Sequence, residues 1–312
     1  MNNTTRTIFA AVPLVTLLSL CHGCTQQPAQ NYTWQQTESS LALLNQNQIV
    51  WRLNHQKHHS HPYFHPLALP DGTQLTAESP SDHPWDWGLW FSWKFINGVN
   101  YWDPVPPKGR TEVTDVKTKL KPDHSARIEL SINYRVPPQP PVLTEKRILT
   151  VSPPDKTGSY YIDWLSIFTA ADNDVILNRT PIPGQENSKS YGGYAGLSLR
   201  MAETTKNFKF LSSQGPLKSD SHGTKAQWLD FSGKTTDAKY AGITIFDHPK
   251  NLNHPTPWWL SNSMPFFSPA IIYYKPYTLK AANKLTLKYR ILIHTYPPNK
   301  QTLQKNWKSF IK

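Results

Sequence analysis

Two long segments alternate apolar and polar residues, and this pattern constrains the fold more than any other feature. One is Ala126-Arg127-Ile128-Glu129-Leu130-Ser131-Ile132-Asn133-Tyr134. The other is Leu285-Thr286-Leu287-Lys288-Tyr289-Arg290-Ile291-Leu292-Ile293. Successive side chains of a strand point to opposite faces, so a period of two reads as a strand with one buried face. Shorter strands are predicted over 40–53, 89–95, 142–151, 159–169, 194–201, 226–231, 240–246 and 270–274. Turn signals stand at Pro70-Asp71-Gly72, Asn97-Gly98, Pro153-Pro154 and Ser232-Gly233. Only 299–311 reads as a helix. The 28 prolines and 12% aromatic residues fit the same picture, since proline breaks helices and aromatic rings favour pleated surfaces. The expected fold is all-β, a large antiparallel β-sandwich. No linker or repeat divides the chain, so 36–312 is expected to be a single domain.

The N-terminus reads as a targeting segment. A short basic start with Arg6 precedes an apolar run from Ile8 to Leu20. That run has the length of a signal peptide and is short for a membrane span. It leads to Cys21-His22-Gly23-Cys24, and a small residue before a cysteine is the pattern of a lipoprotein signal. The expectation is a signal peptide over 1–23, lipidation at Cys24 and a polar tether over 24–35. An exported protein anchored in the cell envelope by its lipid follows. No other cysteine exists, so neither a disulfide nor a thiol nucleophile is expected in the mature chain.

The net charge of +12 attracts anions. The expected partner is an acidic or sulfated oligosaccharide, with no nucleic acid and with membrane contact only through the N-terminal lipid. Lys300, Lys305, Lys308 and Lys312 read as a solvated face, and His55-Gln56-Lys57-His58-His59-Ser60-His61 as an exposed polar loop.

Residues suited to chemistry gather in a few places. Asp-His-Pro occurs twice, as Asp82-His83-Pro84 and Asp247-His248-Pro249. Proline holds the preceding histidine in an extended conformation, and imidazole beside carboxylate is material for acid/base work. Tyr63 and His65 lie in His61-Pro62-Tyr63-Phe64-His65-Pro66-Leu67. Arg290 and His294 share one face of the last strand. Asp86, Asp230 and Tyr191 complete the catalytic candidates. Hydrolysis would use two of the carboxylates Asp82, Asp86, Asp230 and Asp247. Elimination would use a His or Tyr base with Arg290 as the stabilising cation. Trp87, Trp90, Trp258, Asn251, His254 and Arg200 are candidates for holding substrate, the indoles because a flat ring with a polar edge stacks on sugars. No cofactor is expected. The alternative is a divalent metal held by His65, His83 and His248.

These clusters, with Gly88-Leu89-Trp90-Phe91, Tyr191-Gly192-Gly193, Ala226-Gln227-Trp228-Leu229-Asp230 and His254-Pro255-Thr256-Pro257-Trp258, resemble a bacterial family of unknown function labelled "methane oxygenase PmoA"-like. The resemblance spans roughly 50–300. A mean hydropathy of −0.55 and a single apolar run separate the chain from a multi-span membrane subunit. The resemblance implies an exported all-β protein connected with carbohydrate breakdown. Members usually carry a second histidine after Asp-His-Pro, where this chain has Trp85-Asp86. His61-Pro62-Tyr63-Phe64 is also similar to a segment of the aldose-1-epimerases, which implies a galactose-mutarotase-like supersandwich. The leading expectation is an exported carbohydrate-active enzyme, whether hydrolase, lyase or epimerase. A non-catalytic glycan-binding lipoprotein and a mononuclear metal protein stand as alternatives.

Overall fold

A computed structural model describes residues 31–56, 61–103, 106 and 108–312. The signal peptide, Cys24 and residues 57–60 of the His-rich stretch lie outside them. The described chain is a sandwich of two nine-stranded sheets, and every pairing between strands is antiparallel.

The first sheet runs, from edge to edge, Tyr32–Gln36, Ser40–Asn45, Gln48–Asn54, Tyr63–Leu67, Leu89–Ser92, Gly196–Arg200, Phe266–Pro269, Pro257–Ser261 and Thr224–Lys225. The second runs Gly215–Leu217, Lys209–Ser212, Trp228–Lys234, Tyr240–Asp247, Lys284–His294, Tyr160–Ala170, Leu143–Val151, Ala126–Arg135 and Arg110–Leu120. A small sheet of Tyr277–Leu279, Val175–Asn178, Phe95–Ile96 and Val99–Asn100 lies beside them. Its hairpin turns on Asn97 and Gly98, both at positive φ, the conformation that suits the twist of paired strands.

Sequence alternation becomes burial. In Ala126–Arg135 the residues Ala126, Ile128, Leu130, Ile132 and Tyr134 are buried, and the residues between them are exposed or half-buried. Inner faces of both sheets share one core. Phe64 meets Trp164 at 6.4 Å between ring centroids and Phe91 meets Phe168 at 5.1 Å. The Tyr160 hydroxyl donates across the interface to the Ala68 carbonyl at 3.0 Å.

Four expectations are corrected. The tether ends earlier, because Tyr32–Gln36 pairs with Ser40–Asn45 and Trp34 packs edge-on against Trp51. Residues 270–274 form a turn, with Tyr273 N donating to Ala270 O at 2.9 Å. Ile271 and Ile272 are apolar because they fill a core corner. Ser232-Gly233 lies within a strand. Its glycine lets the Phe208 ring approach, and a Cβ there would sit 2.6 Å from the ring. His55 and His61 are buried where a polar loop was expected.

The predicted helix is Lys300–Phe310, capped by the Asn299 side chain accepting from Thr302 N at 2.8 Å. Leu303 and Trp307 bury themselves against Trp228, Phe246 and Leu292, so the helix covers part of the outer face of the second sheet. Among the described residues no helix is long and apolar enough to cross a membrane.

Candidate functional site

Strands of the first sheet point Phe64, Leu89, Phe91, Leu199 and Phe267 inward to the core. Alternation then places Tyr63, His65, Trp90, Arg200, Phe266 and Trp259 on the outer face. There Tyr63, Trp90, Trp102, Trp259, Phe266 and Tyr273 form a second apolar cluster, with half-buried Trp85, Trp87 and Tyr194 against it. Trp90 lies 5.4 Å from Trp102 and 5.8 Å from Phe266, and Trp102 lies 4.9 Å from Tyr194.

Over this face runs the loop 78–87, and its own backbone closes it. Glu78 and Trp87 form a β-bridge, Ser79 N donates to Asp86 O at 2.8 Å, and His83 N donates to Pro80 O at 3.0 Å. The loop can return to the sheet because residue 88 is glycine. Its φ is +61°, and a Cβ there would lie 2.3 Å from the Phe64 carbonyl oxygen. This segment carries Glu78, Asp82, His83, Trp85, Asp86 and Trp87.

Arg200 organises the charges from below. Its guanidinium is fully buried, and Nη2 donates to both oxygens of Asp82 at 2.8 and 2.7 Å. Asp86 Oδ2 lies 3.5 Å from Nη1, and Glu203 lies 3.6 Å from Nη2. Burial pushes the Asp86 carboxyl up to about 7. Arg200 opposes the rise, and Asp82 and Asp103 add to it. Asp82 is also drawn up by partial burial, but the bonds from Arg200 and the nearness of His83 outweigh this and hold it below the usual carboxylate range. His83 Nδ1 stands 3.2 Å from Asp82 Oδ2, close enough for an ion pair but without hydrogen-bond alignment. Asp86 Oδ2 and Arg200 Nε and Nη1 are buried without a hydrogen-bond partner.

Two further groups flank this centre. The Tyr63 hydroxyl donates to Glu78, whose other oxygen lies 3.9 Å from His65 Nε2. His65 Nδ1 and the Thr76 hydroxyl share a 3.1 Å hydrogen bond. Burial lowers the His65 pKa, favouring the neutral ring. On the other side, buried Lys94 bonds Asp103 and lies 5.3 Å from the centroid of the Tyr194 ring.

The remaining expected residues are elsewhere. Asp247 is buried on the second sheet, accepting from Asn251 Nδ2 at 2.7 Å, His254 Nδ1 at 2.7 Å and Thr256 N at 3.2 Å. His254 stacks parallel to Trp307, and Asn251 also ties to the backbone of Lys288. His248 is buried edge-on to Phe310, its Nδ1 accepting from Lys250 N. Arg290 forms a two-point bond with Asp163, and its guanidinium faces Tyr161 and Phe310. His294 and Asp230 are fully buried and bonded at 2.8 Å. These groups fasten the helix, the following turn and the outer face of the second sheet.

The alternation in the last strand was therefore right, but the face it exposes is covered. His83 does not meet His248 and Arg290, which lie on a different sheet with their face turned away from the shared core. The alternative metal set fails for the same reason. Among the described residues no three His, Cys, Asp or Glu side chains could hold a metal ion together. Trp258 belongs to the main core and Trp90 is sealed at 0% exposure, so neither presents a ring to substrate. Arg200 anchors carboxylates from a fully buried position. Tyr191 is 52% exposed on the segment leading to Tyr194. Glu78, Lys94, Asp103 and Tyr194 were not foreseen. Only their nearness in sequence to Asp82, Trp102 and Tyr191-Gly192-Gly193 could have pointed to them.

A model of a family of unknown function, DUF6807, matches residues 40–308. No curated protein matches the chain. Among solved structures, the galactosidase domain of alpha-galactosidase-sucrose kinase, AgaSK, is similar at a TM-score of 0.36 and 8% identity. The match covers 85% of this chain and 41% of that one, so the chain spans about two fifths of that protein's length.

Proposed function

This chain belongs to the DUF6807 family, and we propose that it is a carbohydrate-active enzyme whose substrate seats on the outer face of the first sheet. The supporting observation is the loop 78–87, which sets half-buried Trp85 and Trp87 beside three carboxyl groups and a histidine above one buried guanidinium. Indole faces stack on the apolar side of a sugar ring, and carboxylates accept from its hydroxyls. Two carboxyl groups in unlike surroundings supply an acid and a base at one pH. Asp86 lies buried at the foot of the loop, reached by substrate when the loop 78–87 shifts, and holds its proton up to about neutrality, while the Glu78 side chain is 36% exposed and held by Tyr63. Hydrolysis of a glycosidic bond uses such a pair most directly. The acid protonates the bridging oxygen as the bond to carbon breaks, and water adds at that carbon.

Charges on this face come close to balance, because Asp86 keeps its proton to about neutrality and Glu78, Asp82, Asp103 and Glu203 stand against Arg52, Arg200, Lys94 and Lys206. A neutral sugar fits this balance better than the sulfated glycan that net charge alone suggested.

The test is turnover on a panel of neutral oligosaccharides read by product mass. Asp86→Asn is expected to lower the rate by about 100-fold or more while leaving the melting temperature at pH 7 unchanged or higher. Full activity in both Asp86→Asn and Glu78→Gln would end the catalytic reading. Tight binding without any product would establish the alternative, a glycan-binding protein, for which half-exposed Trp85 and Trp87 also suffice.

A further inference from the structure

The chain's positive charge is unevenly placed. Beyond Asp247 there is no Asp or Glu, but there are nine lysines and Arg290, which account for most of the net +12. The fold concentrates much of this on one side. Lys300, Lys305 and Lys308, with Gln301, Thr302 and Gln304, line the outward side of the C-terminal helix. Exposed Lys250 and half-buried Lys288 stand near His248, which packs against the same helix. None of these five lysines has a carboxylate partner among the described residues, whereas Lys280 and Arg290 are paired with Asp174 and Asp163. This side is the outer face of the second sheet, opposite the face that carries Arg200 and the aromatic cluster.

We propose that this basic face seats the protein on an anionic membrane surface. Two observations favour lipid over a soluble polyanion. Phe310 and Ile311 are half-buried at the helix end between Lys308 and Lys312, and apolar side chains amid lysines suit the headgroup boundary. The unpaired cations are lysines, compact charges on flexible stems. Arginine forks, which read individual phosphate or sulfate groups at two points, are absent from them. Binding in this orientation turns the loop 78–87 away from the membrane and towards polymers in solution.

The experiment is sedimentation of the full chain with vesicles of phosphatidylcholine, alone or with about one third phosphatidylglycerol, at low and high salt. Each lysine near such a surface is worth roughly five-fold in partition, so K300Q/K305Q/K308Q is expected to lose roughly 100-fold on anionic vesicles. Binding to neutral vesicles, and the melting temperature, should be unchanged. The preference of the wild-type chain for anionic vesicles should vanish at high salt. Equal partition of the wild-type chain onto neutral and anionic vesicles would overturn the proposal. So would a triple variant that keeps the preference, or dextran sulfate that binds through the same lysines and is not displaced by anionic vesicles. If the triple variant does not fold, the single neutralisations K300Q, K305Q and K308Q decide, each with an expected loss of about five-fold.

Discussion

Asp86 carries a distinct pH signature. An acid whose folded pKa is about 7, against 3.8 in the open chain, binds its proton more tightly in the folded state. Its contribution to stability is therefore complete below pH 3.8 and is lost as pH rises through about 7. The range spans roughly 4 kcal/mol at most, because one pKa unit is worth about 1.4 kcal/mol. Urea unfolding of Asp86→Asn between pH 4 and 8 should show a much flatter dependence than the wild-type chain. A parallel pair of curves would show that Asp86 titrates normally. The same group sets the expected fall in turnover above pH 7. Its neighbour Arg200 cannot be exchanged for lysine without loss, since the guanidinium holds Asp82 with one nitrogen and faces Asp86 with another, and a single ammonium has only one.

The C-terminal helix acts as a lid on the second sheet, and Trp307 is its fastening. The indole nitrogen donates to the Asp247 carbonyl at 2.8 Å, the ring stacks on His254, and its body fills the cluster with Trp228 and Leu292. Trp307→Ala should cost about 3–5 kcal/mol, measured by denaturant unfolding. The same change should expose His248 and Arg290 to solvent. This helix also explains why the expected site was half legible. Period-two alternation correctly put Arg290 and His294 on one face, and the helix expected at 299–311 is found at Lys300–Phe310. Nothing in the spacing tells that the helix folds back over that face. A polar stripe on a strand looks the same in sequence whether water or a helix covers it. The other Asp-His-Pro copy sits in a loop with half-exposed tryptophans, and there the sequence reading of His83, Asp82, Asp86 and Trp87 placed them together. Glu78 and Asp103 stayed hidden because strand pairing, not chain proximity, brings Tyr63 and Lys94 to them.

Between the sheets lies a polar knot that no alternation rule predicts. Glu145 and Arg147 occupy inward positions flanked by Leu143 and Leu149, and both are buried. Glu145 accepts from Arg147 at 2.7 and 2.9 Å, from the Tyr134 hydroxyl at 2.6 Å and from the Ser166 hydroxyl at 2.6 Å. Arg147 reaches across to the first sheet, where Nη1 donates to Pro62 O at 3.4 Å and the guanidinium faces Phe91. Glu145→Ala leaves a buried cation and two hydroxyls unpaired and should cost about 3–5 kcal/mol. Replacing both charges by leucine should cost far less, and an equal loss in both variants would show that the pair itself sustains the fold. The core between the sheets thus holds together by its own contacts, while the loop 78–87 is tied to the outer face by Gly88, by the bonds of Glu78 to Tyr63 and of Asp82 to Arg200, and by the packing of Trp85 and Trp87. Selection can rewrite that hairpin-like segment with little effect on the core between the sheets, provided the buried Arg200 keeps a carboxylate partner. Relatives sharing this sandwich can therefore diverge in chemistry by exchanging a single short stretch of chain.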